Sequence, residues 1–196
     1  EILSGGTVKM SETKDNTYTN TEQRLFFLSD DVDNSSIGQI TWGILHQIKE
    51  DDDKDEKEKD YKRDPIKLYI NSYGGSVYDM WGLIDIILNS KTPIYTYCTG
   101  YAMSAAFKIF LAGHKRYCYK HSSFMYHQMN CWRSGKYQDL VEDRQEMDWL
   151  NQKNEEYVID RTNLTKDDID EIREKKKDFY IHSDEAIKYG IVNEIL

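Results

Sequence analysis

Apolar and polar positions along residues 24–112 predict three strands that alternate with three helices. The strands are indicated by short apolar runs over residues 24–29, 66–71 and 94–98. The helices are predicted to include residues 37–48, 77–88 and 104–112, and the first two carry apolar side chains on one face. Parallel strands joined by crossover helices follow from this order, which therefore predicts an α/β fold.

The rest of the chain predicts shorter strands and a long helix. The predicted elements are strands over residues 116–119, 124–126 and 191–192, a long helix over about 138–162, and short helices that begin after Thr165 and at Ser183. Thr165 with Asp168 has the pattern of a capping box. No repeat of fixed period is visible. A length of 196 residues favours one domain of ordinary size, which we predict over residues 23–196.

Two polar segments lie outside this pattern of buried elements. Residues 1–22 are polar and without periodicity, and we interpret them as an arm that orders only against a neighbour. Residues 50–64 hold nine acidic and five basic side chains, which predicts a solvated surface loop. A calcium loop of the EF-hand type is disfavoured because no glycine interrupts the run.

Composition excludes several classes of partner. A net charge of −9 argues against nucleic acid, whose phosphates would be repelled. No apolar run is long enough for a membrane span, and the N-terminus lacks the core of a signal peptide. The cysteines, Cys98, Cys118 and Cys131, lack metal-type spacing. We therefore expect a cytoplasmic protein, or an organellar one if a presequence was removed, with no nucleic-acid or membrane partner.

Two glycine segments, each predicted to join a strand to a helix, suggest a binding site for negative charge. Gly74 and Gly75 follow one strand, and Gly100 follows the next. Neighbouring parallel strands place such turns at the same edge of a sheet, where the amides of Gly75 and Ala105 could converge on one oxyanion. A double glycine alone is most often only a tight turn.

Three polar residues supply the side chains of a serine hydrolase. Ser104 offers a hydroxyl, His127 an imidazole and Asp178 a carboxylate. Taken singly, each has a simpler explanation: a helix N-cap, a polar strand end and a solvated charge run. Spacing cannot assemble the three, because the order and separation of triad residues differ between folds. The residues alone indicate a hydrolase of unknown substrate.

Several motifs, in the right order, resemble those of the ClpP endopeptidases, the proteolytic subunits of ATP-dependent Clp proteases. They are the double-glycine segment 69–77, the serine segment 100–104, the segments 112–116 and 122–128 that lead to His-Gln, and the segments 178–180, 185–186 and 189–192. The resemblance covers about residues 24–196. It implies the ClpP/crotonase-like α/β fold of repeated β-β-α units, with a protruding strand and helix over residues 128–162, called the handle below.

The resemblance also implies a role for each site residue. Ser104 would be the nucleophile, His127 the general base and acid, and Asp178 the group that orients the imidazole. The amides of Gly75 and Ala105 would form the oxyanion hole. No metal or organic cofactor is implied. ATP would be used by a partner, because this chain has no Walker-type glycine loop with a lysine.

The function implied is that of a serine endopeptidase. Family members cleave unfolded polypeptides inside a chamber formed by heptameric rings, two of which stack. The implied partners are further copies of this chain, a Clp-type AAA+ ATPase that unfolds substrates, and the unfolded substrates themselves.

Some residues depart from the pattern of the family. Tyr73 stands where proline is usual, and Ala105 and Ala106 replace the Met-Gly that commonly follows the serine. Residues 128–135 are bulkier than the glycine-rich strand that binds substrate backbone. Lys177 replaces an arginine that takes part in ring contacts, and lysine cannot make the same bidentate contact.

Two other functions remain as alternatives, one suggested by these departures and one by the fold. The altered segment after His127 favours a non-catalytic ClpP-like paralogue of the ClpR type, which would be a structural subunit of a mixed ring. The usual sign of such a subunit is a lost triad residue, and here all three candidates are present. A crotonase-type acyl-CoA enzyme would share the fold and the paired amides but would not need Ser104 or His127.

Overall fold

The computed structural model describes residues 19–20, 24–175 and 178–196. Most of the predicted arm and Lys177 lie outside the described residues. The strands are β1 Thr19–Asn20, β2 Leu25–Leu28, β3 Ile66–Ser72, β4 Ile94–Met103, β5 Lys115–Cys118, β6 Ser123–Tyr126, β7 Phe179–His182 and β8 Glu194–Ile195. The helices are α1 Asn34–Asp55, α2 Val77–Asn89, α3 Ala105–Ala112, α4 Tyr137–Arg161, α5 Lys166–Glu174 and α6 Ser183–Lys188.

The strands form one mostly parallel sheet in the order β1-β2-β3-β4-β5-β8. β2, β3, β4, β5 and β8 pair in parallel, and β1 adds to β2 in the antiparallel direction. β4 is long enough to have two partners on one side. Its first part pairs with β5, and its last residues pair with β6, which in turn pairs antiparallel with β7. The α/β fold expected from the sequence is confirmed.

One helix lies entirely inside the protein and fixes the site described below. Every residue of α3 is buried, and its apolar side chains join the same core as β3 and β4. A helix that is apolar almost all round is typical of a core position. β3 alternates buried with half-buried residues along its whole length, which is the period expected of a strand with one face in the core. The junction between β4 and α3 is therefore held by packing on both sides.

The prediction of a loop over residues 50–64 is wrong for its first part, because α1 continues to Asp55. The reason is a buried carboxylate within the charged run. Asp51 accepts two hydrogen bonds from the Arg24 guanidinium, one from the Tyr61 hydroxyl and one from the Thr92 hydroxyl, at 2.7 to 3.1 Å. These bonds compensate for the lost hydration of the carboxylate and tie the end of α1 to the sheet.

Gly100 does not form the predicted turn. It lies within β4, which runs on to Met103 before the chain turns at Ser104. A Cβ atom at position 100 would lie 2.4 Å from Oδ1 of Asn71. That oxygen accepts a hydrogen bond from the Tyr101 amide at 3.2 Å. Glycine is required here for the close approach of the Asn71 side chain. The turn prediction was wrong because this glycine serves close packing between strands and not a change of chain direction.

Two predicted strands are absent from the described residues. Residues 191–192 do not form a strand, because the amides of Ile191 and Val192 both donate to the Ala186 carbonyl in the turn after α6. The strand expected at the start of the handle is also missing, and residues 127–136 have no regular structure. The helix of the handle is present as α4, whose first half is largely exposed. Within the described residues, every helix is too short or too polar to cross a lipid bilayer.

Candidate active site

Ser104 lies at the sharp turn between β4 and α3 and has an unusual backbone conformation. Its φ of 53° and ψ of −118° are rare for a residue with a side chain. The Ser104 amide donates to the Met125 carbonyl of β6 at 2.9 Å, which holds the turn in place. The side chain makes no capping hydrogen bond to α3, so its hydroxyl is free for another partner. A strand, a strained turn and a buried helix together present this hydroxyl, an arrangement similar to the strand-to-helix turn that carries the serine of α/β-hydrolases.

His127 provides that partner. It follows β6, whose Met125 pairs with Met103 of β4, so the strand ends carry His127 to the Ser104 turn. The distance between His127 Nε2 and Ser104 Oγ is 2.7 Å, a short hydrogen bond. In the neutral imidazole with its proton on Nδ1, the hydroxyl donates to Nε2. The structure thus brings together two residues that are far apart in the sequence.

Burial lowers the pKa of His127 below its ordinary value of 6.5, and the positive charge of Lys108 lowers it further. The negative charge of Asp178 opposes both effects without reversing them. An imidazole with a lowered pKa is neutral at pH 7 and can accept a proton. His127 is therefore in the protonation state that a general base requires.

Asp178 lies next to His127 along the strand pairing but forms no hydrogen bond with it among the described residues. β6 and β7 pair Tyr126 with Phe179, so the next residues in register are His127 and Asp178. The carboxylate is exposed, and the hydrogen bonds of the described residues include none between it and the imidazole. In this conformation Asp178 acts on His127 through its charge alone.

Two amides beside Ser104 are free to donate. Neither the Gly75 nor the Ala105 amide has an acceptor among the described residues. The glycine turn packs against the serine turn, since a Cβ atom at Gly74 would lie 2.7 Å from the Met103 carbonyl oxygen. Free amides that line the same cavity as a serine hydroxyl could serve as the donors that an oxyanion needs.

These groups share one cavity of about 180 Å³. It is lined by Gly75, Val77, Ser104, Ala105, Lys108, His127, Met129, Asn130 and Asn154. Four of the five residues predicted from the sequence are present, and Asp178 is the one that does not line the cavity. The described residues contain no cluster of side chains suited to hold a metal ion.

Sequence comparison assigns the chain to a family. The sequence model of the Clp protease family matches residues 9–196. This chain belongs to the Clp protease family.

Curated relatives agree with this assignment. The chain is 35% identical over 176 residues to ATP-dependent Clp protease proteolytic subunit 1 of Prochlorococcus marinus (strain NATL2A), covering 88% of this chain and 83% of the relative. It is 32% identical to proteolytic subunit 2 of Synechococcus sp. (strain CC9605), with 89% and 83% covered. Subunit 1 of Shouchella clausii (strain KSM-K16) is 30% identical, with 89% and 86% covered. The resemblance found in the sequence motifs is confirmed.

Two residues of the cavity escaped the sequence analysis. Lys108 is 5% exposed and lies one helical turn after Ser104, and burial lowers its pKa to about 8. Asn154, on α4, is 3% exposed, and both atoms of its amide lack a hydrogen-bond partner. The available signal was a lysine inside an otherwise apolar helix, four residues after the candidate serine. Asn154 gave no signal, because it lies in a long polar helix.

The pH dependence of Ser104 acylation tests the role of His127. Acylation is expected to fall as the imidazole gains a proton, with a midpoint below pH 6.5 because the pKa of His127 is lowered. Lys108→Met removes a positive neighbour and should raise the midpoint, whereas Asp178→Asn removes a negative one and should lower it. The measurement is the rate of labelling by a fluorophosphonate at a series of pH values. Midpoints that do not move in either variant would contradict the assignment.

The buried charge of Lys108 is expected to reduce stability. Because its pKa is lowered to about 8, protonated Lys108 costs the folded state free energy at pH 7. Lys108→Met should raise the free energy of unfolding at pH 7 by roughly 1–3 kcal/mol. This gain should shrink as the pH rises from about 8 towards 10.5, where the folded protein has released the proton and the unfolded chain has not. Urea unfolding at pH 7 and at higher pH measures it, with exposed Lys120→Met as the control. An equal gain at both pH values would contradict the explanation.

Proposed function

We propose that this protein is a serine endopeptidase that cleaves unfolded polypeptides, with Ser104 as the nucleophile and His127 as its base. The observation that carries the proposal is the 2.7 Å hydrogen bond between Ser104 Oγ and His127 Nε2. It joins a strained serine turn to an imidazole with a lowered pKa, within a cavity that also contains two free amides. Membership of the Clp protease family supports the same chemistry.

The proposed reaction proceeds in two steps. Ser104 Oγ attacks the carbonyl carbon of the scissile peptide, and its proton passes to His127 Nε2. The negative charge that develops on the carbonyl oxygen is stabilised by the amides of Gly75 and Ala105. The imidazolium then protonates the leaving amine and the C–N bond breaks, which leaves an ester on Ser104. Water, deprotonated by His127, hydrolyses the ester and frees the serine.

Asp178 is proposed to become the third member of the triad by a small movement. Its place in the register of β6 and β7 is adjacent to His127, and its charge already offsets part of the lowering of the imidazole pKa. A hydrogen bond from Nδ1 to this carboxylate would fix the tautomer that the reaction needs.

We infer further that the protein acts in the cytoplasm within heptameric rings, two of which stack, together with a Clp-type AAA+ ATPase that supplies unfolded substrate. The relatives are named as proteolytic subunits of an ATP-dependent Clp protease. Large aromatic side chains at the start of the handle support a covered surface, since Trp132 is 84% and Tyr137 is 82% exposed.

A second candidate is a non-catalytic subunit of a mixed ring, of the ClpR type. The observations that favour it are the missing hydrogen bond between Asp178 and His127 and the lack of a strand over residues 127–136. Such a subunit would contribute structure to a ring whose other members cleave substrate.

Degradation of an unfolded polypeptide distinguishes the two candidates. A permanently unfolded, dye-labelled polypeptide needs no ATPase to unfold it, so it can be offered to this protein alone. Cleavage into short peptides by the wild type, with none by Ser104→Ala, is the expected result. The structural role replaces the catalytic one if the wild type and Ser104→Ala both leave the polypeptide intact, while a mixture of this protein with an active relative degrades it faster than that relative does alone.

A further inference from the structure

Some residues that line the cavity beside Ser104 have no role in the proposed reaction. Lys108 of α3 and Asn154 of α4 both line it, next to Ser104, Gly75 and Ala105. The remaining walls include Val77 and Met129, which are apolar. A polypeptide whose carbonyl oxygen sits at the two free amides would place the neighbouring side chain in this cavity.

Lys108 carries a buried charge without a counterion. No carboxylate forms an ion pair with its Nζ among the described residues, and Nζ lies over the ring of Tyr126, 5.7 Å from its centroid. Glu155, on the neighbouring helix, is already paired with Arg173 at 3.1 Å and with Lys166 at 3.5 Å. A buried ammonium that lacks a negative partner is unfavourable, so a ligand that supplies one gains affinity.

Asn154, on α4, adds a second unsatisfied group to the cavity lining. Its Nδ2 and Oδ1 are both buried and neither has a hydrogen-bond partner. Natural proteins leave few buried side-chain amides in this condition. An amide N–H and an ammonium that line one small cavity can both donate to the same carboxylate.

We infer that this cavity is a subsite for an acidic side chain, so that the protein cleaves polypeptides preferentially after glutamate or aspartate. The inference rests on the proposed peptidase function and names the substrate that the site selects. Lys108 Nζ pairs with the carboxylate, Asn154 Nδ2 donates a second hydrogen bond, and Val77 and Met129 contact the methylene groups. A leucine in the same place would leave both polar groups buried and unpaired, which disfavours it.

Peptides that differ only in the residue before the scissile bond test the inference. Glutamate, glutamine and leucine are compared in otherwise identical fluorogenic peptides with the assembled protein, because short peptides need no unfolding. The expected kcat/KM for glutamate exceeds that for glutamine and for leucine by about tenfold or more. Lys108→Met should reduce the preference for glutamate by a similar factor and raise cleavage after leucine. The matched control Lys120→Met, at an exposed site, should keep the preference.

A second variant and a labelling control separate the possible failures. Asn154→Asp places a carboxylate beside Lys108 and should also remove the preference for glutamate, whether or not Lys108→Met folds. Each sample is treated with a fluorophosphonate, which reports Ser104 reactivity independently of peptide choice. Labelled protein that prefers leucine, or that keeps its glutamate preference in both variants, overturns the subsite and leaves the peptidase function standing. Protein that is not labelled and cleaves none of the peptides overturns both the acidic subsite and the peptidase function.

Discussion

Replacing His127 with alanine should lower the rate of Ser104 acylation by at least about 10³-fold, because the imidazole is the group that contacts the hydroxyl and takes its proton. The bond of 2.7 Å to His127 Nε2 is the only hydrogen bond that Ser104 Oγ makes within the described residues. The rate of fluorophosphonate labelling measures the loss directly, since the reagent needs an activated serine but no bound peptide.

His121→Ala is the matched control for this variant. His121 precedes β6, is exposed and lies outside the cavity, so the labelling rate should stay within about twofold of the wild type. Equal rates in the wild type and His127→Ala would contradict a catalytic base at position 127. A loss of similar size in His121→Ala would indicate a general effect on the fold.

Gly75→Ala is expected to lower kcat/KM for peptide cleavage by about 10²-fold or more, through the loss of an oxyanion donor. Gly75 has a φ of 151°, and an added Cβ atom would lie 2.3 Å from the Val32 carbonyl oxygen. That oxygen accepts a hydrogen bond from the Ser76 amide at 2.6 Å, so the methyl group and the present turn cannot coexist. The turn must shift and carry the Gly75 amide away from the cavity.

Gly82→Ala provides the comparison, because a Cβ atom at this position of α2 would meet nothing within 4 Å. Cleavage by Gly82→Ala should match the wild type, and its thermal midpoint should not fall. The Gly75→Ala variant is also examined by circular dichroism, so that a lost turn is distinguished from a lost fold. Full activity in a folded Gly75→Ala protein would remove this amide from the mechanism.

The sequence predicted the elements whose signal is local. β2, β3 and the first part of β4 are short apolar runs, and α1 and α2 show one apolar face, so the places of these elements in the chain followed from periodicity, although the ends of α1 and β4 did not. Ser104 and His127 were found through motifs rather than spacing, because only the pairing of β4 with β6 brings them into contact.

The features that were missed depend on tertiary contacts. Asp51 has the same local context as its solvated acidic neighbours, and only the folded chain provides the Arg24, Tyr61 and Thr92 side chains that bury it. Gly100 has a structural role because of Asn71, which lies on the neighbouring strand. The importance of Lys108 likewise depends on a cavity that four separate segments form.

Labelling by a fluorophosphonate, read by intact mass, is the most direct test that Ser104 is an activated nucleophile. The account predicts one adduct per wild-type chain, located at Ser104 by peptide mapping, and no adduct on Ser104→Ala. An unlabelled wild type that is folded and assembled, or an adduct that persists in Ser104→Ala, would contradict it.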